Sequence, residues 1–181
     1  MEIVTKTKWA IDPSHSKICF KIKHLKFSNI SGNFREFDAN IYTRENDFLT
    51  AQIDLWLNPA SVDTGNEQRD LQLKSADFFN VEEFKVINFC AKDYVGSRQI
   101  AHYQMVGDLV MKGITHEIRL DVEFCGIMKD PNGNEKAIFT INGQINRKAW
   151  GLNWNIVLES GDLLLSEDVW IECDIQLIRQ S

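Results

Sequence analysis

The chain has 181 residues, a net charge of −6, 44% hydrophobic and 25% charged residues, which suits one soluble domain with a real core. Its basic residues form no dense stripe, so nucleic acid is not an expected partner, and no apolar run approaches the ~18 residues a membrane-spanning helix requires. Met1 to Lys8 carry neither an apolar stretch nor a small-residue cleavage site; the expectation is a cytoplasmic location for a full-length chain, or a periplasmic one if a leader has been removed.

The predicted elements are mostly strands with a period of two. Residues 17–24 place Ile18, Phe20, Ile22 and His24 on one face and three lysines on the other. Ser31-Gly32 reads as a break, and 34–42 as a second, less regular strand. Leu49, Ala51, Ile53, Leu55 and Leu57 then alternate with polar residues until Asn58-Pro59. Residues 61–80 change character: Asn66 is placed to cap a helix over 67–74, and Ser75 to Phe79 reads as a further capped turn.

Strands return at 86–95, with Ile87, Phe89 and Ala91 on one face, and at 101–111, where Ala101, Tyr103, Met105, Gly107, Leu109 and Met111 align. After Lys112-Gly113 comes the clearest alternation in the chain. Ile114, His116, Ile118, Leu120, Val122 and Phe124 oppose Glu117, Arg119, Asp121 and Glu123. Asp130 to Asn134 contains an Asn-Gly hairpin signal. Ala137, Phe139, Ile141, Gly143 and Ile145 follow on one face, and Val169 to Leu177 alternates in the last strand.

About eight antiparallel strands with one helical excursion argue against a parallel βαβ fold. A sandwich and a barrel both fit, and the sequential hairpins favour an up-and-down barrel, whose closure removes exposed edges. At eight strands the lumen is either filled by side chains or holds one ligand. Alanines and glycines among the inward positions, with Met105 and Met111, lean toward a cavity; the alternative is that they offset large neighbours in a filled core. A hollow lumen would be apolar and suit a hydrocarbon chain, because roughly fifteen buried carbons contribute about 12 kcal/mol, well above the cost of association.

The expected lining is Ile18, Phe20, Ile22, Ile53, Leu55, Phe89, Met105, Leu109, Met111, Ile118, Leu120, Phe139 and Ile141, with His24 and His116 at the rim. Asp12, Ser14 and His15 bring an acid, a hydroxyl and an imidazole together, but in the setting of a turn that bonds its own backbone. There is no nucleophile elbow, P-loop, dinucleotide glycine motif or H-E-x-x-H. No cofactor other than a bound lipid is expected. Cys19, Cys90, Cys125 and Cys173 are too scattered for a metal site and read as reduced thiols.

Four blocks in order resemble the YceI-like family. They are Trp9-x-Ile11-Asp12-Pro13-Ser14-His15-Ser16 with Phe20 and Lys23-His24; Arg69-Asp70-Leu71-x-Leu73-Lys74-Ser75-x-Asp77-Phe78-Phe79; Gly107-Asp108-Leu109-x-Met111-Lys112-Gly113-Ile114-Thr115; and Ile145-Asn146-Arg147-x-x-x-Gly151-Leu152-x-Trp154. The resemblance implies a single all-β domain over 1–181: an eight-stranded antiparallel lipocalin-like barrel with a short helical insertion between strands 3 and 4. It implies a homodimer that binds, carries or stores a polyisoprenoid, isoprenoid quinone or fatty amide without catalysis. Trp150, where the family usually has phenylalanine, is expected to narrow or cover an opening. Asp12, Ser14, Lys74 and Arg147 are expected to fix strand ends and the insertion. The alternatives are a filled barrel presenting Trp56, Trp170 or the insertion to a protein partner, or an enzyme acting on an enclosed lipid.

Overall fold

The computed structural model describes residues 5–97 and 99–181, so the leader expectation drawn from the first residues falls largely outside them. In chain order the strands are β1 (Lys6–Ile11), β2 (Lys17–His24), β3 (Ser28–Phe34), β4 (Phe37–Arg44), β5 (Asp47–Leu57) and β6 (Val62–Asp63). After helix α1 (Glu67–Lys74) come β7 (Ile87–Val95), β8 (His102–Met111), β9 (Ile114–Lys129), β10 (Glu135–Asn146) and β11 (Leu165–Arg179).

An antiparallel ring runs β1-β4-β5-β7-β8-β9-β10-β11 and closes where Trp9 to Ile11 pair with Arg179 to Leu177. The remaining strands extend the same wall. β11 pairs first with β2 and then with β1 along one edge, so β1 and β2 act as one interrupted strand, and β3 with β4 as another. The eightfold barrel expected from the sequence is therefore present, with its first two strands broken.

The breaks are not where the sequence reading put them. Ser31-Gly32 lies inside β3, because the Phe20 ring covers Gly32 so closely that a Cβ there would sit 2.6 Å from Phe20 Cζ. The chain leaves the sheet at Arg35-Glu36 instead. β5 also slips: a register shift opposite Tyr42 to Arg44 sends Phe48 into the interior and Leu49 to an outer groove, reversing the expected face for that stretch. Ala101 precedes β8 and is exposed.

The interruption between β1 and β2 is held by the Asp12-to-Ser16 turn. Asp12 N–H donates to Gln176 O at 2.9 Å, and Ser16 Oγ accepts from Gln176 N–H at 3.0 Å, replacing the missing ladder bonds. Asp12 Oδ1 accepts from Ser14 N–H and Oγ, while Oδ2 accepts from Lys136 Nζ at 2.8 Å in a buried ion pair. Lys136 holds the Asp12 carboxyl well below the usual carboxylate range; desolvation opposes this, and Ser14 and His15 assist.

The two ends differ. At the lower end Trp9, Phe48, Phe124 and Phe139 pack with ring centroids 4.8–5.4 Å apart, and Trp9 Nε1 donates to Thr43 Oγ1 at 2.8 Å. At the upper end α1 lies across the opening. Asn66 caps it by accepting from Arg69 N–H, and none of its residues is buried. The turn after the helix anchors it through Phe79 on Phe34 and Phe78 on Trp154. No described helix is long and apolar enough to cross a membrane.

Candidate functional site

Between the aromatic plug and α1 the barrel is hollow, in two adjoining chambers. The outer one has a volume of about 510 Å³ and the inner about 150 Å³, and Leu109 and Ile171 belong to the walls of both. The filled-core alternative is not what this interior shows.

Strand alternation turns many side chains into these chambers. Phe20, Ile22, His24, Leu109 and Met111 line the outer chamber. Ile18, Ile53, Leu55, Phe89, Met105, Leu109, Ile118, Leu120, Phe139 and Ile141 line the inner one. The small inward residues play a different part from the one inferred. A Cβ on Gly107 would meet Phe89 Cζ at 2.5 Å and one on Gly143 would meet Leu120 Cδ2 at 2.5 Å. These glycines let large side chains lie against the wall rather than opening space themselves.

His116 is a correction. It stands opposite Leu109 in the β8–β9 ladder but lines neither chamber. The turn at Arg147–Trp150 takes up its ring, which meets Trp150 edge-on and donates from Nε2 to Ala149 O at 2.8 Å. Trp150 covers no opening either: it is buried, and its Nε1 donates to Leu109 O at 2.9 Å. Asp12 and Ser14 hold a strand end as expected and line neither chamber. Lys74 closes α1, its carbonyl accepting from Val81 N–H.

Several lining groups escaped the sequence reading. Ile171, Cys173, Ile175 and Leu177 carry the period of β11 and were legible there. Leu73, Phe78, Phe79, Leu152, Trp154 and Leu164 come from the insertion and from irregular segments, where no periodicity marks a face. Burial pushes the Cys173 thiol up to about 12, which makes it inert.

The outer chamber is not uniformly apolar. Asn66, Gln68, Arg69 and Gln72 contribute from α1 and its cap, and Arg147 from the end of β10. Arg147 is 2% exposed. Its Nε donates to Ser166 O at 2.9 Å, and its Nη1 donates to Leu152 O and Trp154 O at 2.6 and 2.9 Å. It thus fixes the 147–166 connection as expected, while also facing the chamber. Desolvation lowers its pKa and the Glu167 charge opposes this. The inner chamber is almost wholly hydrocarbon, with Tyr103 and Cys173 its polar exceptions.

Outside the wall, β5 and β7 pair only over Asp54–Leu57 and Ile87–Cys90. Beyond that they part, leaving a groove of about 630 Å³. Tyr94 Oη crosses the gap to donate to Ala51 O at 2.8 Å.

The YceI-like domain model matches residues 9–177. A UPF0312 protein of Staphylococcus aureus (strain USA300) is 39% identical over 171 residues, covering 94% of this chain and 96% of the relative. One from Staphylococcus epidermidis (strain ATCC 12228) is 40% identical over the same span. Among solved structures, the Campylobacter jejuni YCEI protein has a TM-score of 0.74 at 29% identity, covering 88% of this chain and 90% of its own. A polyisoprenoid binding domain from Saccharophagus degradans shares the fold at 12% identity, with a TM-score of 0.63 over 95% of this chain and 98% of its own. With its family model spanning nearly the whole barrel and these relatives matched end to end, the chain belongs to the YceI-like family.

Proposed function

We propose that this protein binds a long apolar lipid inside its barrel and carries or stores it without chemical change. The observation that carries the proposal is the pair of adjoining chambers, the inner walled by Ile, Leu, Phe and Met side chains and the outer roofed by a helix with no buried residue. A tail in the inner chamber gains about 0.8 kcal/mol per methylene removed from water, while the polar groups of the outer chamber are placed for a headgroup. A polyisoprenoid, isoprenoid quinone or fatty amide fits this division. The fold shared with a polyisoprenoid-binding domain supports the first. Family membership supports a homodimer, which sedimentation of the purified protein tests.

A non-enzymatic role is supported by the place of the Asp12, Ser14 and His15 cluster. It is tied to Lys136 at the β1–β2 break, and none of the three lines a chamber.

Organic extraction and mass spectrometry of the purified protein should yield a long-chain lipid, unchanged after prolonged incubation. Persistent absence of lipid, with no uptake of added prenyl chains, would end the proposal. Leu109→Trp, at the junction of the chambers, should abolish uptake in a protein that still unfolds cooperatively.

A further inference from the structure

The outer chamber holds charge that the lipid tail leaves unused. Arg147 and Arg69 both line it, and its lining contains no Asp or Glu. This local excess of positive charge occurs in a chain whose net charge is −6.

Neither guanidinium is neutralised by a direct carboxylate contact among the described residues. Arg69 is held by Thr64, its Nε donating to Oγ1 and its Nη2 to the carbonyl, both at 2.8 Å. Arg147 spends Nε and Nη1 on the carbonyls of Ser166, Leu152 and Trp154. Its Nη2 has no hydrogen-bond partner among the described residues, although the side chain is almost fully buried and forms part of the chamber wall. Glu167, whose charge acts on Arg147, is itself engaged by Lys148 Nζ at 3.3 Å.

Carbonyls satisfy N–H groups but bring no compensating charge, and a buried cation is costly without one. The Phe78 ring, 6.0 Å from Arg147 Cζ, adds only a weak cation–π contact. A guanidinium with a free edge is matched best by an oxyanion, through charge-assisted hydrogen bonds that a neutral amide, alcohol or quinone cannot supply.

Resting on the lipid-binding reading above, we propose that the preferred ligand is an acidic amphiphile whose oxyanion headgroup, a phosphate or carboxylate, sits in the outer chamber against Nη2 of Arg147, with Arg69 as the second cation.

Because Arg147 also ties three backbone carbonyls, the test begins with the unmutated protein, stripped of lipid. Affinities are measured for two matched pairs, palmitate against palmitamide and geranylgeranyl phosphate against geranylgeraniol. The acidic member of at least one pair should bind about ten-fold tighter or more, and the pair showing the gap identifies the oxyanion. Equal affinities within both pairs would overturn the headgroup inference while leaving lipid binding intact. Failure of all four ligands to bind would instead remove the lipid-binding reading and this inference with it. Inorganic phosphate that raises Tm as much as geranylgeranyl phosphate would overturn a lipid source for the anion. In an Arg147→Gln protein that still unfolds cooperatively, the gap should fall to about two-fold or less, and a persisting gap would overturn the role of Arg147.

Discussion

The two ends of this barrel solve opposite problems with the same strands. At the lower end, four aromatic rings from β1, β5, β9 and β10 meet one another across the lumen. At the upper end, aromatic residues meet in pairs, Phe79 on Phe34 and Phe78 on Trp154, and these line the outer chamber with its two guanidiniums. The difference teaches where rigidity and access reside. The closed end is hydrocarbon burial plus a buried ion pair nearby. The open end is a helix held by a cap and two phenylalanines, a part able to move without unzipping the sheet.

The strongest way to break that contrast is to unplug the lower end. Phe139→Ala should cost about 3–5 kcal/mol in urea unfolding, because the ring is buried against Phe48 and Phe124. In the protein that remains folded, the inner chamber deepens, so longer tails should bind better relative to short ones.

Next in size is Lys136→Met, which strands the Asp12 carboxylate and should cost about 3 kcal/mol at neutral pH. The pH dependence carries the sign. With its folded-state pKa depressed, Asp12 contributes stability that is present above its unfolded pKa of about 3.9 and is lost as pH falls from there through the folded value. Denaturant midpoints should therefore fall less steeply below about pH 4 in the variant than in the parent protein; parallel acid limbs would count against the pair.

At the upper end, Asn66→Ala removes the cap of α1 and should cost only about 1 kcal/mol globally, while speeding lipid exchange as followed by stopped-flow fluorescence. The smallest expected effect is at the β5–β7 gap. Tyr94→Phe deletes one hydrogen bond to Ala51 O, worth about 0.5–1 kcal/mol, and amide exchange should rise along the unpaired stretches of β5 and β7 with little change elsewhere.

Much of the architecture was legible in the chain because an antiparallel strand imposes a period of two on whatever it buries. Ile118, Leu120, Phe139 and Ile141 point inward for that reason alone, and Asn66 caps a helix because its side chain satisfies Arg69 N–H locally. Where the period is broken by a distant partner, the pattern misled. Gly32 reads as a turn until the Phe20 ring lies over it, Leu49 reads as inward until a bulge against β4 shifts it, and His116 keeps the parity of an inward residue yet is claimed by the Arg147–Trp150 turn.

Alternation, turn chemistry and the helix cap, all local, determined the face of most strand residues and the antiparallel barrel they build. Whether that lumen is hollow, which end is plugged, and that a buried Arg147 joins a chamber wall were decided only by tertiary packing. Those outcomes depend on side chains brought together from far apart in the chain, where volume and charge must match across gaps that no local periodicity records.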